Sequence, residues 1–379
     1  MLTMQDFQPE TPATIDLVRH LAELESPSDD KAAVDRLGAF VAQELAALHA
    51  TITVEERAET GNHVVAHWPG AQPALAAPIV VLCHMDTVWS VGTLARRPVR
   101  EDQGRLYGPG VFDMKSGIAM LLTALKVLAA RGQWPRHPIT AIFTADEETG
   151  SHFSRELIES HAKGAALALV LEPALPSGAL KTARKGTGLI EIVAHGRAAH
   201  AGADHAKGRN AIEELAYHII AAQRLTDYAA GTTVNIGTIS GGTRTNVVPA
   251  EARAVADVRV ASSDEVERLE RWTKSLHPVL PGASVSARLT LNRPPMVRDA
   301  RMTATFSCAR SIAHRLGLDL AEASTGGGSD GNFVAALAVP VLDGLGAIGD
   351  GGHAENEHIL IDSLTDRTAL LAALLTEWP

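Results

Sequence analysis

Hydrophobic residues in the first half of the chain recur with the spacings of strands and helices that alternate. Continuous apolar runs are typical of strands covered on both faces, and period-two runs of strands covered on one face. The strands predicted in this way cover residues 51–57, 63–68, 78–83, 139–145 and 166–171. The predicted helices cover residues 12–49, as two helices divided by Ser26-Pro27-Ser28-Asp29-Asp30, and then 115–131 and 151–163. Such alternation indicates an α/β sheet that is at least partly parallel.

The pattern changes after residue 186, where strands and helices no longer alternate one by one. The elements predicted there are strands at 188–195, 233–240, 253–260 and 283–291 and helices at 210–225 and 263–276. Their order, β-α-β-β-α-β, is that of a split βαβ or ferredoxin-like unit. Pro294-Pro295 ends this unit, and α/β material resumes after it. We therefore predict one α/β domain, residues 1–185 and 296–379, interrupted by an inserted domain of residues 186–295.

Composition and charge exclude several classes of function. The chain has 379 residues, a formal net charge of −10 and no Lys/Arg cluster suited to a phosphate backbone, so nucleic acid is not an expected partner. No apolar run approaches the roughly 20 residues of a membrane-spanning helix, and residues 1–16 lack the pattern of a signal peptide. Cys83 and Cys308 indicate no disulfide framework. A cytoplasmic location is therefore the expectation.

Residues of the types that bind metals occur where predicted strands end. Glu147 and Glu148 follow one buried strand, and His84 and Asp86 follow another. Ionised carboxylates repel one another, and a cation relieves that repulsion, although an acidic turn alone is more typical of a solvated surface. In an extended segment positions i and i+2 point the same way. The Asp86 carboxylate is therefore predicted to reach the ring nitrogen of His84 that does not face a metal.

Three further candidate ligands lie in similar settings. Asp113 precedes a helix in a glycine-rich segment, where an N-cap is its ordinary role. Glu172 ends a strand before a proline, and His353 lies in a glycine-containing loop, where a solvated side chain is the ordinary state. Two histidines and three carboxylates together suit a pair of Zn²⁺ or similar ions. One glutamate of the adjacent pair then remains as a base that takes a proton from water.

Five motifs contain these residues in a fixed order along the chain. They are His84-Met85-Asp86-Thr87-Val88, the segment from Gly108 to Gly117, Asp146-Glu147-Glu148-Thr149-Gly150, Leu171-Glu172-Pro173 and His353-Ala354-Glu355-Asn356-Glu357. Over nearly the whole chain they closely resemble the co-catalytic, dinuclear zinc peptidase and deacylase family, which includes glutamate carboxypeptidase, acetylornithine deacetylase and succinyl-diaminopimelate desuccinylase. The resemblance implies a mixed-sheet zinc-exopeptidase-like catalytic domain with an inserted ferredoxin-like lid and dimerisation domain. It also implies two Zn²⁺ per subunit, for which Co²⁺ or Mn²⁺ can substitute.

The resemblance further implies a role for each motif residue. The metal ligands that it implies are Asp113 bridging both ions, His84 and Glu172 in one site, and Glu148 and His353 in the other. Glu147 would be the general base acting on a water that bridges the metals, and Asp86 would orient His84. His200 lies in a segment resembling the one whose second histidine donates to the oxyanion. In dimeric members that histidine reaches the partner's site, so His200 is expected to act in trans in a homodimer.

Candidate substrate-binding residues follow from the same resemblance. They are Asn246, Arg259, Gly327, Gly328 and Arg293. Asn246 and Arg259 resemble the residues that bind the substrate carboxylate, and the two-pronged guanidinium suits that role. Without the resemblance they are an exposed turn residue and a strand-edge residue. Backbone N–H groups of the loop at 325–330 can hold a carboxylate, whereas the segment at 181–186 does not align cleanly with the glutamate pocket of glutamate carboxypeptidases.

Two enzyme functions and two other classes follow as hypotheses. The first is a zinc metallopeptidase, a glutamate carboxypeptidase-like exopeptidase that cleaves an amide bond next to a free carboxylate. An N-acyl-amino-acid deacylase of the acetylornithine deacetylase or aminoacylase type would share its mechanism and differ only in its pockets. A non-catalytic metal- or amino-acid-binding protein would be expected to lack the base or a ligand, and all are present. A nucleotide-binding protein is disfavoured because no Gly-x-Gly-x-x-Gly turn occurs.

Overall fold

The computed structural model describes residues 2–72 and 74–379. Its strands are β1 (Thr51–Glu55), β2 (His63–Trp68), β3 (Ile79–His84), β4 (Arg100–Asp102), β5 (Arg105–Tyr107), β6 (Ile139–Thr144), β7 (Leu167–Val170), β8 (Leu180–Arg184), β9 (Gly186–His195), β10 (Thr233–Gly241), β11 (Glu251–Val260), β12 (Ser284–Arg293), β13 (Glu322–Thr325), β14 (Val341–Asp343), β15 (Gly349–Asp350) and β16 (His358–Leu360). Its α-helices are α1 (Thr11–Glu23), α2 (Lys31–Ala47), α3 (Thr93–Arg96), α4 (Ser116–Ala130), α5 (Arg155–Ala162), α6 (Ala211–Gln223), α7 (Ser263–Lys274), α8 (Ala300–Arg315), α9 (Gly331–Ala336) and α10 (Ser363–Glu377).

The chain forms two compact units. The larger unit comprises Met1–Ala183, Arg298–Ser324 and Ser329–Pro379, and the smaller unit comprises Arg184–Val297 and Thr325–Gly328. Within the described residues, no helix combines the length and the apolar character needed to cross a membrane.

The larger unit is built on a mixed sheet with the strand order β1-β2-β6-β3-β7-β14-β8-β13. β3 runs parallel to both β6 and β7, whereas β2 runs antiparallel to β6. The prediction of a partly parallel α/β sheet is confirmed. Almost every residue of α4 is buried, which agrees with its continuous apolar sequence. Because β6, β3 and β7 are parallel neighbours, their carboxyl ends meet at one edge of the sheet, where sites of open α/β sheets form.

Some elements of the larger unit escaped prediction because they are short. A second sheet with the order β15-β16-β5-β4 consists of strands of two or three residues, too short to show a hydrophobic period. Helix α5 begins at Arg155 rather than at Ser151, where the sequence pattern placed it. Ser151 has a φ of +55°, and its N–H donates to the carbonyl of Asp146 at 2.8 Å, so the chain is still turning there.

The smaller unit has an antiparallel sheet of order β10-β11-β9-β12, and α6 and α7 pack against it. The element order from β9 to β12 is β-α-β-β-α-β, as predicted. Its core consists of alternate strand residues and one stripe of each helix, for example Ile190, Ala254, Leu215 and Leu269. The loop Thr325–Gly328 groups with this unit, although the sequence placed it in the larger domain.

Candidate metal centre

The carboxyl ends of three neighbouring strands place four of the candidate residues at one edge of the large sheet. His84 is the last residue of β3. Glu147 and Glu148 begin a short 3₁₀ turn just after β6, and Glu172 lies two residues beyond β7. Each strand is fully buried, so these side chains emerge from an apolar core directly into the edge where ligands gather.

A first ligand group consists of His84, Asp113 and Glu172. His84 Nε2 lies 3.1 Å from Asp113 Oδ1 and 3.4 Å from Glu172 Oε1. His84 and Glu172 are buried, and Asp113 is partly exposed. One imidazole nitrogen and two carboxylates, largely shielded from solvent, form a ligand set that is typical of a divalent cation.

A second ligand group consists of Asp113, Glu148 and His353. His353 Nε2 lies 3.0 Å from Glu148 Oε2 and 3.4 Å from Asp113 Oδ2. In each group the potential ligand atoms all lie within 4.8 Å of one another. Asp113 turns one oxygen to each histidine and is therefore common to both groups. Unlike His84, the His353 side chain is 51% exposed.

The ring of His84 is oriented by the main chain of Asp86. His84 Nδ1 lies 2.9 Å from the Asp86 carbonyl oxygen and 3.6 Å from its carboxylate. The carbonyl can only accept, so Nδ1 carries a proton, and Nε2 is the ring nitrogen that faces Asp113 and Glu172. The sequence predicted a contact with the Asp86 carboxylate, but the closer partner is the carbonyl of the same residue.

The Asp86 carboxylate instead holds the turn that carries the two glutamates. It accepts hydrogen bonds from the backbone N–H of Glu147 at 3.2 Å and of Glu148 at 3.1 Å, and from Ser28 Oγ at 2.7 Å. These donors, together with His84, keep the pKa of Asp86 below its usual value although burial opposes this. The Asp86 carboxylate therefore fixes the backbone of both glutamates relative to His84.

The pKa shifts of the two histidines show that this cluster of carboxylates favours additional positive charge. Hydrogen bonds to Asp113 and Glu148 raise the pKa of His353 to about 10. Burial lowers the pKa of His84, but the carboxylates around its ring, Asp113 first, raise it well above the usual value. The carboxylates thus favour positive charge at both rings, and divalent cations would supply that charge. The residues present therefore fit a two-metal centre with Asp113 as the shared ligand.

Two of the other predicted site residues lie at one end of the smaller unit's sheet. His200 forms an isolated bridge with Val247, and the Ala201 N–H donates to the Asn246 carbonyl at 3.0 Å. His200 Nδ1 accepts hydrogen bonds from the backbone N–H groups of Gly202 at 3.1 Å and Ala203 at 2.9 Å. A neutral His200 therefore carries its proton on Nε2 and presents an exposed donor.

The remaining predicted substrate residues lie at the opposite end of that sheet. Arg259 on β11 and Arg293 on β12 are both direct cross-strand neighbours of Thr187 on β9. A Cβ added to Gly328 would lie 3.0 Å from Arg293 Cδ and 3.1 Å from Thr187 Cγ2, so the loop packs closely here. Arg259 is held by Asp257 through Nε at 2.9 Å and Nη2 at 3.0 Å.

One chain therefore does not bring all the predicted substrate residues together. Thr187 and His195 mark the two ends of the shared strand β9, eight residues apart. At roughly 3.3 Å per residue this separates the two groups by about 26 Å. The sequence paired Asn246 with Arg259 as carboxylate binders, but within this chain they stand at opposite ends of the sheet.

Three structurally important residues were missed in the sequence, or carried no assigned role. Ser28 contacts Asp86, and Arg184 Nη1 donates to the carbonyls of Gly327 at 3.2 Å and Gly328 at 3.1 Å. Glu357 belongs to the fifth motif and accepts several hydrogen bonds in the core of the larger unit. Only Glu357 had a signal, its place in that motif, whereas the contacts of all three residues join segments distant in sequence.

Comparison with protein families and curated proteins identifies similar sequences. Residues 80–377 match the model of peptidase family M20/M25/M40. The chain is 30% identical over 375 residues to carboxypeptidase G2 of Pseudomonas sp. (strain RS-16), covering 97% of this chain and 90% of that protein. It is 30% identical over 290 residues to succinyl-diaminopimelate desuccinylase of Verminephrobacter eiseniae (strain EF01-2), covering 72% of this chain and 69% of that protein.

Solved structures share the fold at lower sequence identity. Aminopeptidase PepT from Bacillus cereus ATCC 10987 superposes with a TM-score of 0.77 at 22% identity, covering 97% of this chain and 98% of that one. The M20 family metallo-carboxypeptidase Sso-CP2 from Sulfolobus solfataricus gives a TM-score of 0.69 at 16% identity, covering 98% and 99%. The mixed α/β architecture with an inserted unit is therefore that of these peptidases.

Proposed function

Because this chain belongs to peptidase family M20/M25/M40 and is a hydrolase of amide or peptide bonds, we propose that it is a zinc carboxypeptidase that releases a C-terminal residue, with glutamate as the first candidate. The observation that carries this proposal is the pair of ligand groups sharing Asp113, with Glu147 beside Glu148 on the same turn. The 30% identity to carboxypeptidase G2 extends over 97% of the chain, whereas the desuccinylase similarity covers 72%.

The metal ligands proposed are His84, Asp113, Glu148, Glu172 and His353. Two Zn²⁺ held there would polarise the scissile carbonyl and lower the pKa of water. Glu147 supplies the proton acceptor: its carboxylate takes a proton from the water that attacks the carbonyl carbon. Glu147 then gives that proton to the leaving amine nitrogen, so the amide and water become a carboxylate and an amine. The backbone N–H groups of Glu147 and Glu148 both donate to the Asp86 carboxylate, and these hydrogen bonds hold Glu147 beside Glu148.

The proposed oxyanion donor is His200, acting in a neighbouring protomer. Two backbone N–H groups donate to its Nδ1, so the proton of a neutral His200 lies on Nε2. An N–H donor that is already oriented stabilises the negative charge that develops on the carbonyl oxygen. Since the end of the sheet with His200 and Asn246 lies about 26 Å from the end with Arg259 and Arg293, we propose that two chains complete each site. Arg259, Arg293 and the loop of Gly327 and Gly328 are the proposed binders of the substrate carboxylates.

A homodimer formed through the smaller unit would let two chains complete each site. β10 is the edge strand of its sheet, and Ile239 on it is 60% exposed. The neighbouring helix α6 exposes Tyr217 at 46% and Ile220 at 54%. An edge strand beside exposed apolar side chains is a surface on which a second copy can continue the sheet.

A substrate panel tests the proposed activity. Zinc-loaded protein is given N-acyl-glutamate, N-acyl derivatives of other amino acids, N-acetylornithine and simple dipeptides, and amine release is measured. The proposal expects the fastest release from N-acyl-glutamate. Faster hydrolysis of N-acetylornithine favours the deacylase alternative, and no hydrolysis of any panel member with Zn²⁺ or Co²⁺ contradicts both.

A further inference from the structure

The Glu357 carboxylate is fully buried and accepts hydrogen bonds from four N–H groups, one of them the backbone N–H of the proposed ligand Asp113. Its Oε2 accepts from Trp89 Nε1 at 2.6 Å and from the Gly110 N–H at 2.9 Å. Its Oε1 accepts from the N–H groups of Phe112 at 3.0 Å and Asp113 at 3.1 Å. Two carboxylate oxygens have about four lone-pair sites, so this arrangement uses all of them.

Three of the four donors belong to the tight turn that ends at Asp113. Gly110 adopts a φ of +73°, and a Cβ there would meet Thr87 Cγ2 at 2.8 Å, so the turn requires glycine at this position. Asp113 reaches both ligand groups at 3.1–3.4 Å, one oxygen to each histidine. A displacement of its backbone by about 1 Å would therefore misplace a ligand of both groups at once.

Glu357 also links this turn to the loops that carry the two histidines. Trp89 lies in the loop after His84 and donates from its indole. His353 lies four residues before Glu357, and two successive turns connect them: Ala354 N–H donates to Gly351 at 2.8 Å, and Glu357 N–H to Ala354 at 3.0 Å. The same short segment thus sends one side chain to the exposed ligand group and another into the core.

A buried carboxylate is expensive unless its charge is compensated, so its retention needs a reason. Lys115, which is also buried, interacts electrostatically with Glu357, and its Nζ donates to the Leu24 carbonyl at 2.8 Å. An apolar side chain could fill the same space without this arrangement. It could not accept four N–H groups that converge from two loops.

We propose that Glu357 is a positioning residue that fixes the backbone of Asp113 and thereby sets the affinity of both metal sites; this rests on the proposed metal centre. It does not contact the metals itself. Outer partners of metal ligands change metal affinity when they are lost, because the ligand must then be ordered at the moment of binding. Since Asp113 is shared, loss of Glu357 weakens both sites rather than one.

The test compares Glu357→Gln with the matched variant Glu355→Gln. Both remove one negative charge from the same segment, but Glu355 is exposed. In Glu357→Gln the amide NH₂ must face two N–H donors, whichever way it is turned. Zinc affinity is measured by competition with a chromogenic chelator, zinc per chain by dialysis, and thermal melting for both metal-free and loaded protein.

The expected result is a loss of zinc affinity of about 10- to 100-fold in Glu357→Gln, affecting both ions, with Glu355→Gln unchanged. Trp89→Phe leaves the oxygen that faces Phe112 and Asp113 in place, so it keeps most of the affinity. Lower melting of the metal-free protein with unchanged zinc affinity would mean that Glu357 only stabilises the fold, and would overturn the inference. An equal loss in Glu355→Gln would overturn it as well.

A second variant covers the case in which Glu357→Gln does not fold. Glu357→Asp keeps the charge but is one methylene shorter, so it cannot reach all four donors and is expected to bind zinc more weakly than Glu355→Gln. Wild-type zinc affinity in Glu357→Asp would overturn the inference. Failure of the unaltered protein to bind zinc is a different outcome, because it would refute the proposed metal centre itself.

Discussion

The two units of this protein arrange their functional side chains in opposite ways. In the larger unit, five candidate ligands from five separate segments converge until their ligand atoms lie within 4.8 Å of one another in each group. In the smaller unit, the candidate substrate residues diverge to the two ends of one sheet, about 26 Å apart at roughly 3.3 Å per residue. The first arrangement brings its residues together, and the second keeps them apart.

The contrast shows how each sheet type distributes function. Parallel neighbours such as β6, β3 and β7 end at the same edge, so residues that follow them meet. Antiparallel neighbours such as β9 and β11 send the loops after them to opposite edges, so residues near their ends separate.

The largest expected effect concerns the adjacent glutamates of the convergent site. Glu147→Gln is predicted to keep its zinc while turnover falls by about 10²- to 10⁴-fold, the contribution of a general base. Glu148→Gln is the matched variant on the same turn, and it is predicted to lose zinc as well as turnover. Turnover numbers and zinc content of purified proteins check both.

Either of two results would contradict these separate roles of Glu147 as base and Glu148 as metal ligand. If Glu147→Gln lost as much zinc as Glu148→Gln, the two residues would share one role. If its turnover stayed at the level of the unaltered protein, Glu147 would not be the base.

A smaller but more specific effect tests the divergent site. His200→Ala and Glu147→Ala are each predicted to be nearly inactive alone. In a mixed dimer, the His200→Ala chain keeps its own Glu147 and receives His200 from its partner, so one of two sites works. Denaturing and refolding an equal mixture should therefore restore about a quarter of normal activity, because about half of randomly formed dimers are mixed.

Controls for the mixing experiment are each variant refolded alone and the unaltered protein refolded in the same way. Mixtures no more active than the separate variants would mean that His200 acts within its own chain or does not act. Sedimentation of the mixture shows independently whether dimers formed.

The smallest effect concerns a buried charge of the smaller unit that serves the fold. Glu214 on α6 is fully buried and accepts from the N–H groups of Val279 at 2.8 Å and Leu280 at 2.7 Å, and from His218 Nε2 at 2.8 Å. Burial would raise the pKa of Glu214, but these hydrogen bonds hold it below its usual value. Glu214→Gln is predicted to lower the free energy of unfolding by about 1–3 kcal/mol at neutral pH.

The pH dependence of this stabilisation follows from the lowered pKa. Glu214 ionises at lower pH in the folded chain than in the unfolded one, whose value is about 4.3. Its contribution is therefore present above that value and is lost as the pH falls through the folded pKa. Melting temperatures measured from about pH 6 to pH 3 should fall less steeply in Glu214→Gln than in the exposed neighbour variant Glu213→Gln.

Zinc content separates this buried carboxylate from those of the larger unit. Glu214→Gln should bind zinc as the unaltered protein does, since its partners all belong to the smaller unit's framework. A loss of zinc in this variant, or an acid transition as steep as that of Glu213→Gln, would contradict the assignment.

Local sequence was sufficient for much of the fold. Continuous apolar runs predicted β3, β6 and β7 to within one or two residues, because a strand buried on both faces must be apolar throughout. The inserted β-α-β-β-α-β order was also correct. The short strands of the second small sheet were missed because two or three residues carry no period, and their pairing depends on chain segments far apart.

The sequence by itself determined which side chains stand near strand ends, since hydrophobic runs mark where each strand stops, and His84, Glu148 and Glu172 lie at such an end or within four residues of it. Only the tertiary structure decided their partners. His84 is hydrogen-bonded to the carbonyl of Asp86, and the Asp86 carboxylate accepts from the backbone of Glu147 and Glu148. Glu357 accepts from the Asp113 N–H, 244 positions away in sequence. The reason is physical: periodicity reports which face of an element is buried, whereas a hydrogen bond between distant segments depends on how the elements pack.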